Sequence, residues 1–397
     1  MVGNIVQGNR LAAAQGRELR FGDDEANPAN KYRYISEILQ WRAQRTSDHV
    51  LFTLLGAKGT PTGTLSCAQL HKRAERVACT LVERGRINSG DHVALIYPPG
   101  LDLVCAFYGC LYVGAVPVTI RPPHPQNLPT TLPTVRMIVD VSKASVILSN
   151  ANVIKLLKSK EAGSVMDVRA WPPTLDTDDM AKKKLSSFYR APTAEMLAYL
   201  DFSVSTTGML AGIKMSHAAT TALCRSMKQA CELYPSRHVA LCLDPYCGLG
   251  FSLWCLSSVY SGHHSILIPP SEVEVNPAVW LSIVSQYKVR DTFCSYGNNT
   301  FFKTFSIEEG SFTINLIRFS LGVMELCTKG LATSVGLLKQ RGLNLACVRT
   351  CVVVAEERPR VHLSTSFSKL FSGLGLSPRA VSTSFGCRIN VAICLQV

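Results

Sequence analysis

The strongest constraint on how this chain folds is an alternation of short apolar segments with amphipathic helical patterns along most of its 397 residues. Strands are predicted at the apolar segments His92–Tyr97, Ser145–Leu148, Leu197–Phe202, His238–Leu243, Ser265–Ile268, Asp291–Tyr296, Thr350–Ala355 and Ala380–Ser384. Strands that alternate with helices form mostly parallel sheets with helices on both faces. We therefore expect an α/β fold that binds its ligands at the carboxyl ends of the strands.

The clearest helix signal begins at a capping box, in which Ser66 is followed three residues later by Gln69. Apolar residues then recur at helical spacing until Gly85, a residue type that favours helix termination. These apolar residues are Leu70, Ala74, Val77, Ala78 and Leu81. Two further helices are predicted at Pro277–Lys288 and Val361–Leu374.

One apolar run approaches the length of a membrane span, because Leu103–Ile120 holds 18 residues without a charge. Two glycines and a proline interrupt it, so it predicts a buried helix followed by a buried strand, and no transmembrane segment. The amino terminus lacks the apolar core of a signal peptide. Together these points predict a reducing, cytoplasmic location. The fifteen cysteines include no CxxC pair, which argues against structural zinc.

The chain has a formal net charge of +13 at pH 7. Its basic residues are dense only at Lys155–Lys160 and Lys182–Lys184, and neither patch is interleaved with aromatic residues. No nucleic-acid-binding motif accompanies them, so no nucleic-acid partner is predicted. The charge is interpreted mainly as solvated surface, with an anionic ligand such as a nucleotide or a lipid headgroup as the alternative.

A segment dense in hydroxyl groups follows the predicted strand Leu197–Phe202, with the sequence SVSTTGMLAGIKMSH over residues 203–217. A strand, a polar loop and then a helix can gather hydroxyl and backbone donors around a phosphate. The candidate donors are Ser203, Ser205, Thr206, Thr207 and Gly208. On composition alone, an ordinary strand–helix turn rich in capping residues is the alternative. The segment does not match the GxxxxGK[ST] P-loop.

The longer segment AYLDFSVSTTGMLAGIKMSH resembles the phosphate-loop motif of the adenylate-forming superfamily, which includes acyl-CoA synthetases and fatty acyl-AMP ligases. Four other segments resemble further motifs of that superfamily and occur in the same order as its motifs. They are FYGCLYVGAVPVTIRPPHP, DPYCGLGFSLWCLSSVYSG, VVVAEERP and STSFGCRIN. Three further segments, HKRAERVA, RPPHPQN and QYKVRDTFCSY, make the resemblance more specific. In these segments the chain is similar to the second fatty acyl-AMP ligase-like domain of the disco-interacting protein 2 family.

This resemblance implies the large subdomain of an adenylate-forming enzyme, with stacked, mostly parallel sheets and helices on both faces. It implies ATP or AMP and a fatty acid or acyl-adenylate as ligands, and the rest of a multidomain parent chain as a partner. Residues 1–30 are expected to be a flexible leader, and 31–397 an AMP-binding large subdomain that is truncated before the small catalytic domain. The family also implies roles in lipid metabolism and in nervous-system development.

The family's binding residues can be carried over where the motifs match. The resemblance places adenine near Ala355, Glu356, Ser384, Phe385 and Gly386. It places the acyl group near Tyr246, Cys247 and Gly250, and the phosphates near the loop donors already named. It assigns no catalytic residue and no metal ligand in this chain.

Several positions depart from the family pattern. Ser205 replaces a common glycine, residues 210–211 replace Pro-Lys, and Cys247 stands where the family has histidine. Ile389 and Asn390 stand near the family's magnesium-holding acid, and neither supplies a carboxylate, which argues against magnesium. We therefore expect no adenylation by this chain unaided. The alternative is a catalytically silent scaffold that binds a nucleotide, an acyl group or a protein.

The segment from Gly297 to Gly322 differs from the rest, with five of the fifteen phenylalanines and no clear helical or strand period. The family pattern runs from CSY nearly straight into VMELCTKGL, so residues 298–322 are interpreted as an atypical insertion that is alternatively spliced or mis-spliced. We expect a poorly packed loop with exposed apolar side chains, and a lipid-facing lid is the alternative.

Five other side chains have structural interpretations. Trp254 and Tyr260 are expected in the core rather than at an acyl gate. The pair His263-His264 is expected in a helix-to-strand turn rather than in a metal site. His217 is expected at the start of a helix, where its role is capping.

Overall fold

The computed structural model describes residues 4–7, 33–180, 189–204, 210–246, 248–295, 300–308, 311–319, 322–355 and 360–385. The strands are β1 (Asn4–Gln7), β2 (Val50–Leu55), β3 (Pro61–Ser66), β4 (His92–Ile96), β5 (Val116–Ile120), β6 (Val146–Ser149), β7 (Thr174–Asp176), β8 (Leu197–Val204), β9 (Leu210–Ser216), β10 (His238–Cys242), β11 (His264–Leu267), β12 (Asp291–Ser295), β13 (Thr300–Glu308), β14 (Ser311–Phe319), β15 (Thr350–Ala355) and β16 (Val381–Phe385).

The helices are α1 (Ile35–Arg45), α2 (Cys67–Glu83), α3 (Leu101–Val113), α4 (Leu128–Ser142), α5 (Ala151–Leu157), α6 (Lys160–Val165), α7 (His217–Ala230), α8 (Gly248–Phe251), α9 (Ser258–Ser261), α10 (Pro270–Val275), α11 (Val279–Gln286), α12 (Val323–Gly330), α13 (Val335–Gln340) and α14 (Val361–Phe371). A π-helix, Ser252–Ser257, joins α8 to α9. Short 3₁₀ helices lie at Pro125–Asn127, Val168–Ala170, Ser372–Leu374 and Pro378–Ala380.

The chain divides into two compact units, and the first contains residues 1–50 and 65–226. Its seven-stranded sheet has the order β1-β9-β8-β5-β4-β6-β7. Only β8 and β9 pair antiparallel, and the other neighbours in this sheet are parallel. Apolar side chains of β4, β5 and α4 form its buried core. The expected α/β architecture with mostly parallel strands is confirmed here.

The uncharged run Leu103–Ile120 forms the buried helix α3 and the buried strand β5, as predicted. Gly114 ends α3 with a φ of 74°, in the left-handed region that favours glycine. A Cβ at Gly114 would also lie 2.6 Å from the Ser89 hydroxyl oxygen. Among the described residues, no helix has both the length and the hydropathy that a membrane crossing requires.

The predicted capping box starts α2. The Ser66 hydroxyl accepts from the Gln69 backbone N–H at 3.3 Å, and the Gln69 side-chain oxygen accepts from the Ser66 N–H at 2.9 Å. These two bonds satisfy donors that the first helical turn leaves without partners. The helix begins and ends within a few residues of the predicted positions.

The second unit contains residues 51–64 and 227–397. Its seven-stranded sheet has the order β16-β15-β12-β10-β11-β2-β3, and the strands from β16 to β2 are parallel. Trp280 of α11 stacks on Phe367 of α14 with ring centroids 5.7 Å apart. The indole N–H of Trp280 donates to the Thr292 hydroxyl at 2.9 Å, so this large side chain is buried without losing its hydrogen bond. The predicted helices at 277–288 and 361–374 are confirmed as α11 and α14.

The amino-terminal segment differs from the expectation. Asn4–Gln7 lie in the predicted flexible leader, yet they form β1 and pair in parallel with β9. An edge strand this short needs only backbone pairing, so it leaves little pattern in the sequence. The remaining leader residues, 1–3 and 8–30, lie outside the described part of the chain.

The expectation of a loop at 298–322 was wrong in its secondary structure. Residues Thr300–Glu308 and Ser311–Phe319 form an antiparallel hairpin, and its two strands pair only with each other in the described sheets. The many Phe, Thr and Ile residues of these strands explain the conformation, because such residues favour strands. The predicted exposure of their side chains lies outside what is described.

Candidate functional site

The carboxyl edge of the second unit's sheet brings together segments that are far apart in the sequence. Strands β16, β15, β12 and β10 are neighbours in that order and run parallel, so they all end at the same edge. This edge carries Phe385 at the end of β16, Ala355 at the end of β15 and the turn 244–246 after β10. Two of the sequence-derived sites, for adenine and for the acyl group, therefore share one edge of one sheet.

The predicted adenine residues are neighbours across two strands. The register pairs Ala355 with Phe385 and Val354 with Ser384, and Ser384 is only 2% exposed. Three of the five residues predicted near adenine are thus adjacent at the end of β15 and β16. The other two, Glu356 and Gly386, lie outside the described residues.

A buried turn follows β10 at the position predicted for the acyl group. The Asp244 carboxylate accepts from the Tyr246 backbone N–H at 2.9 Å, an Asx-type bond that fixes the turn. Asp244 and Tyr246 are 4% and 8% exposed, so both side chains lie against the protein interior. Cys247, the fourth residue of the DPYC sequence that was predicted for this site, is outside the described residues.

The segment after this turn is helical and has an unusual pitch. Gly250 lies in the buried helix α8, and the π-helix Ser252–Ser257 continues it into α9. A π-helix widens the backbone by one residue per turn and is frequent at functional sites. The hydroxyls of Ser252 and Ser257 donate to carbonyls four residues earlier, at 3.2 and 2.8 Å. These bonds hold a polar segment inside the core.

The predicted core positions in this segment are confirmed. Trp254 and Tyr260 are buried, with 0% and 3% exposure. His263 lies in the turn between α9 and β11, as expected, whereas His264 is the first residue of β11. Its Nε2 atom lies 3.2 Å from the hydroxyls of both Ser258 and Ser265, which gives the ring a structural role. Within the described ranges, no group of three or more His, Cys, Asp or Glu side chains can hold a metal ion.

The predicted phosphate segment lies in the first unit, and its structure differs from the expectation. Ser203 is near the end of β8 and is half-buried. The segment was expected to pass from a loop into a helix, but Leu210–Ser216 form the strand β9. This strand pairs antiparallel with β8, and Val204 opposite Leu210 is the pair next to the connection. Residues 205–209 connect the two strands. The candidate donors Ser205, Thr206, Thr207 and Gly208 belong to that connection and lie outside the described residues.

Gly212 explains why β9 was missed in the sequence. A glycine in this position suggested a loop, but Gly212 faces Phe202 across the two strands. A Cβ at Gly212 would lie 2.6 Å from the Phe202 ring, so only glycine leaves room for the aromatic side chain. The glycine is therefore a packing residue of the hairpin that carries Ser203.

Helix α7 begins directly after β9, and Ser216 rather than His217 supplies its cap. The Ser216 hydroxyl accepts from the Ala219 backbone N–H at 3.2 Å. His217 is 3% exposed, and its ring meets Tyr34 edge-on with centroids 5.8 Å apart. Burial lowers the pKa of His217 to about 4, so the ring is neutral at pH 7.

Two features of the site were not identified from the sequence. Asp244 shapes the turn next to Tyr246. Its position between a predicted strand and a proline is a turn signal from which this turn could have been predicted. The π-helix Ser252–Ser257 has no comparable signal, because its residues are apolar or small and fit an α-helix equally well.

Comparisons with known proteins place this geometry among adenylate-forming proteins. The family model described as AMP-binding enzyme matches residues 39–374. Disco-interacting protein 2 homolog A of Mus musculus is 62% identical over 396 residues, which cover 100% of this chain and 24% of that protein. Disco-interacting protein 2 of Drosophila melanogaster is 59% identical over 397 residues, which cover 100% of this chain and 21% of that protein. The chain thus spans about a quarter of the length of these relatives.

The fold is also similar to a solved structure. The fatty acyl-adenylate ligase from L. pneumophila, in complex with acyl adenylate and pyrophosphate, superposes with a TM-score of 0.74 at 22% identity. The match covers 92% of this chain and 56% of that chain. The predicted resemblance to the disco-interacting protein 2 family and the predicted fold class are both confirmed.

Proposed function

Because this chain belongs to the AMP-binding enzyme family, we propose that it is the large subdomain of a fatty acyl-AMP ligase-like module and binds an adenine nucleotide and a fatty acyl group. The observation that carries the proposal is the register of β15 and β16, which pairs Ala355 with Phe385 at one edge of the sheet. The turn 244–246 after β10 lies at the same edge. Three separate motifs therefore meet where a parallel sheet binds its ligands.

The residues have separate proposed roles. Adenine binds at the ends of β15 and β16, beside Ala355, Ser384 and Phe385, with Glu356 and Gly386 next to them in the sequence. The acyl group binds beside Tyr246, Cys247 and Gly250, near the buried turn and the buried π-helix. The phosphate donors of the 203–208 segment are proposed from the family motif.

We further propose that the chain by itself binds these ligands without joining them. Adenylation links a carboxylate to the α-phosphate of ATP and releases pyrophosphate, and it needs positive charge where the transition state develops negative charge. Near the family's metal-holding acid this chain has Ile389 and Asn390, which carry no charge. Cys247 replaces an imidazole that can donate and accept hydrogen bonds. Magnesium is therefore not part of the proposal.

Calorimetry on the 397-residue chain with AMP and with an acyl-sulfamoyl adenosine tests the binding. We expect saturable binding of both ligands, and we expect Ser205→Ala with Thr207→Ala to weaken it by about tenfold or more through lost hydrogen bonds. The matched control, Thr333→Ala with Ser334→Ala, removes the same groups elsewhere and leaves the affinity unchanged. A lack of binding by the unmodified chain would refute the nucleotide assignment.

Fatty-acid-dependent exchange of labelled pyrophosphate into ATP tests the catalytic part separately. We expect exchange at the level of a blank without protein. Exchange well above that level, abolished by Ser205→Ala with Thr207→Ala, would show that the chain is a working ligase and that the proposal of binding alone is wrong.

A further inference from the structure

A cluster of charged side chains lies at the amino-terminal edge of the second unit's sheet, opposite the proposed nucleotide edge. Arg237, Arg290 and Arg349 each immediately precede a strand, respectively β10, β12 and β15. These strands are parallel neighbours, so the residues before them meet at one edge. The Arg349 backbone N–H donates to the Arg290 carbonyl at 2.9 Å, which fixes this arrangement.

The three guanidinium groups converge on a single carboxylate oxygen. The Oε2 atom of Glu232 lies 2.7 Å from Arg290 Nη2, 3.4 Å from Arg349 Nη1 and 3.9 Å from Arg237 Nη2. The second acid, Asp291, has its Oδ2 atom 3.9 Å from Arg290 Nε and a side chain only 5% exposed. Three cations thus share the half-exposed Glu232 carboxylate, and Arg290 also lies beside the buried Asp291 carboxylate.

Hydrogen-bond donors outnumber acceptors in this cluster. Each guanidinium carries five N–H donors, and a carboxylate can use only a few of them. Arg290 Nε is buried and has no hydrogen-bond partner. The Arg349 side chain is 61% exposed, so its donors remain open to a ligand from solution. The cluster therefore has both unused donors and access.

The backbone at Glu232 sets the direction of its carboxylate. Its φ is 49°, in the left-handed region, where a residue with a Cβ is less stable than glycine. It follows the end of α7, and the Leu233 N–H bonds back to the Lys228 carbonyl. Glycine would fit this helix end with less strain. The turn directs the Glu232 carboxylate at three arginines.

We propose that Arg237, Arg290 and Arg349 form a binding site for a phosphate-bearing anion, in which Glu232 is the resident counter-ion that the phosphate displaces. Guanidinium groups bind phosphate oxygens through paired N–H donors, and several converging groups suit an anion with several oxygens. Arg349 and Ala355 lie at opposite ends of the six-residue strand β15, roughly 20 Å apart at the usual rise per residue. The site is thus distinct from the proposed nucleotide edge and does not depend on it.

Titration calorimetry of the full chain with inositol hexakisphosphate, at constant ionic strength, tests the proposal. We expect one saturable site that Arg349→Gln weakens by about tenfold or more, the loss expected for charge-assisted bonds. Arg341→Gln, which removes the same charge from an exposed position outside the cluster, serves as the control and leaves the affinity within about twofold, as expected for a charge screened by salt. Equal affinities of these two variants would overturn the proposal.

Glu232→Gln separates this site from a purely structural ion-pair cluster. If Glu232 competes with the anion, its neutral variant binds inositol hexakisphosphate several-fold more tightly. If the cluster serves only to hold the end of α7 to the strands, the variant is less stable to heat and shows no gain in affinity, which would refute the proposal.

Vesicles distinguish the source of the phosphate group. Sedimentation with phosphatidylcholine vesicles that contain phosphatidylinositol 4,5-bisphosphate, compared with phosphatidylcholine alone, identifies a lipid headgroup if binding is lost in Arg349→Gln. Binding of inositol hexakisphosphate without vesicle binding identifies a soluble anion. Saturable binding to neither probe would contradict the assignment.

Discussion

The imidazole of His217 stands at the start of α7 in an environment that disfavours its charged form. It is buried, it packs edge-on against Tyr34, and its Nδ1 atom has no hydrogen-bond partner. Burial lowers its pKa from 6.5 to about 4 because desolvation penalises the cation. A residue that looked like a helix cap in the sequence is thus a neutral core residue in the fold.

This burial predicts a pH dependence of stability. Between pH 6.5 and pH 4 the unfolded chain protonates His217 and the folded chain does not, so the free energy of unfolding falls as the pH falls. The loss at pH 4 is roughly 3 kcal/mol, in keeping with 1.36 kcal/mol per pKa unit. Urea unfolding of the wild type and of His217→Phe across this range measures it. The variant should show a flatter profile, and parallel profiles would contradict the prediction.

At the scale of elements, the hairpin of β8 and β9 shows how tertiary contact overrides local signals. The Ser, Thr and Gly residues of the 203–217 segment predicted a loop that leads into a helix. Its second half instead pairs with β8, and Phe202 fills the space over Gly212. The same residues are ambiguous in isolation because strand preference depends on the cross-strand neighbour.

We expect Gly212→Ala to destabilise this hairpin. The added Cβ would overlap the Phe202 ring at 2.6 Å, and such overpacking costs typically about 1–3 kcal/mol. The midpoint of urea unfolding should fall accordingly, and Phe202→Leu in the same chain should recover part of the loss. Gly163→Ala in α6 is the control, because nothing lies within 4 Å of its Cβ position. Equal effects of the two alanine variants would disprove the contact.

The hairpin of β13 and β14 is an element whose pairing is local. Its strands bond to each other and to neither seven-stranded sheet. This is consistent with the interpretation of 298–322 as an insertion, which stays a prediction. A loop was predicted because the phenylalanines are spaced unevenly and show no strand period. The individual residue types nevertheless favour strands.

At the scale of the whole molecule, both units bury most of the cysteines. Of the twelve described cysteines, eleven are buried and Cys347 is partly exposed. Burial raises the pKa of Cys105 to about 12 and that of Cys231 to about 12, which leaves almost no reactive thiolate at neutral pH. The eleven buried cysteines therefore pack as small apolar side chains.

We expect Cys347 to react first among these twelve when the native protein is treated with a thiol reagent at neutral pH, because the reagent can reach it. Mass spectrometry of peptides from the partly labelled protein measures the order. In Cys347→Ser, the peptide that is labelled first should no longer be labelled. Labelling of Cys105 as fast as that of Cys347 would contradict the burial pattern.

The amino-acid sequence determined the strand–helix alternation, the cap of α2, the buried helix and strand at 103–120, and the superfamily. The first three depend on residues close together in the chain, and the superfamily follows from short motifs that occur in a fixed order along it. Tertiary structure decided which distant segments share a sheet edge. The pairing of Ala355 with Phe385, and the convergence of three arginines on Glu232, follow from strand order, which no local pattern encodes. The fold also decided the ionisation of His217, since desolvation depends on what packs around a side chain.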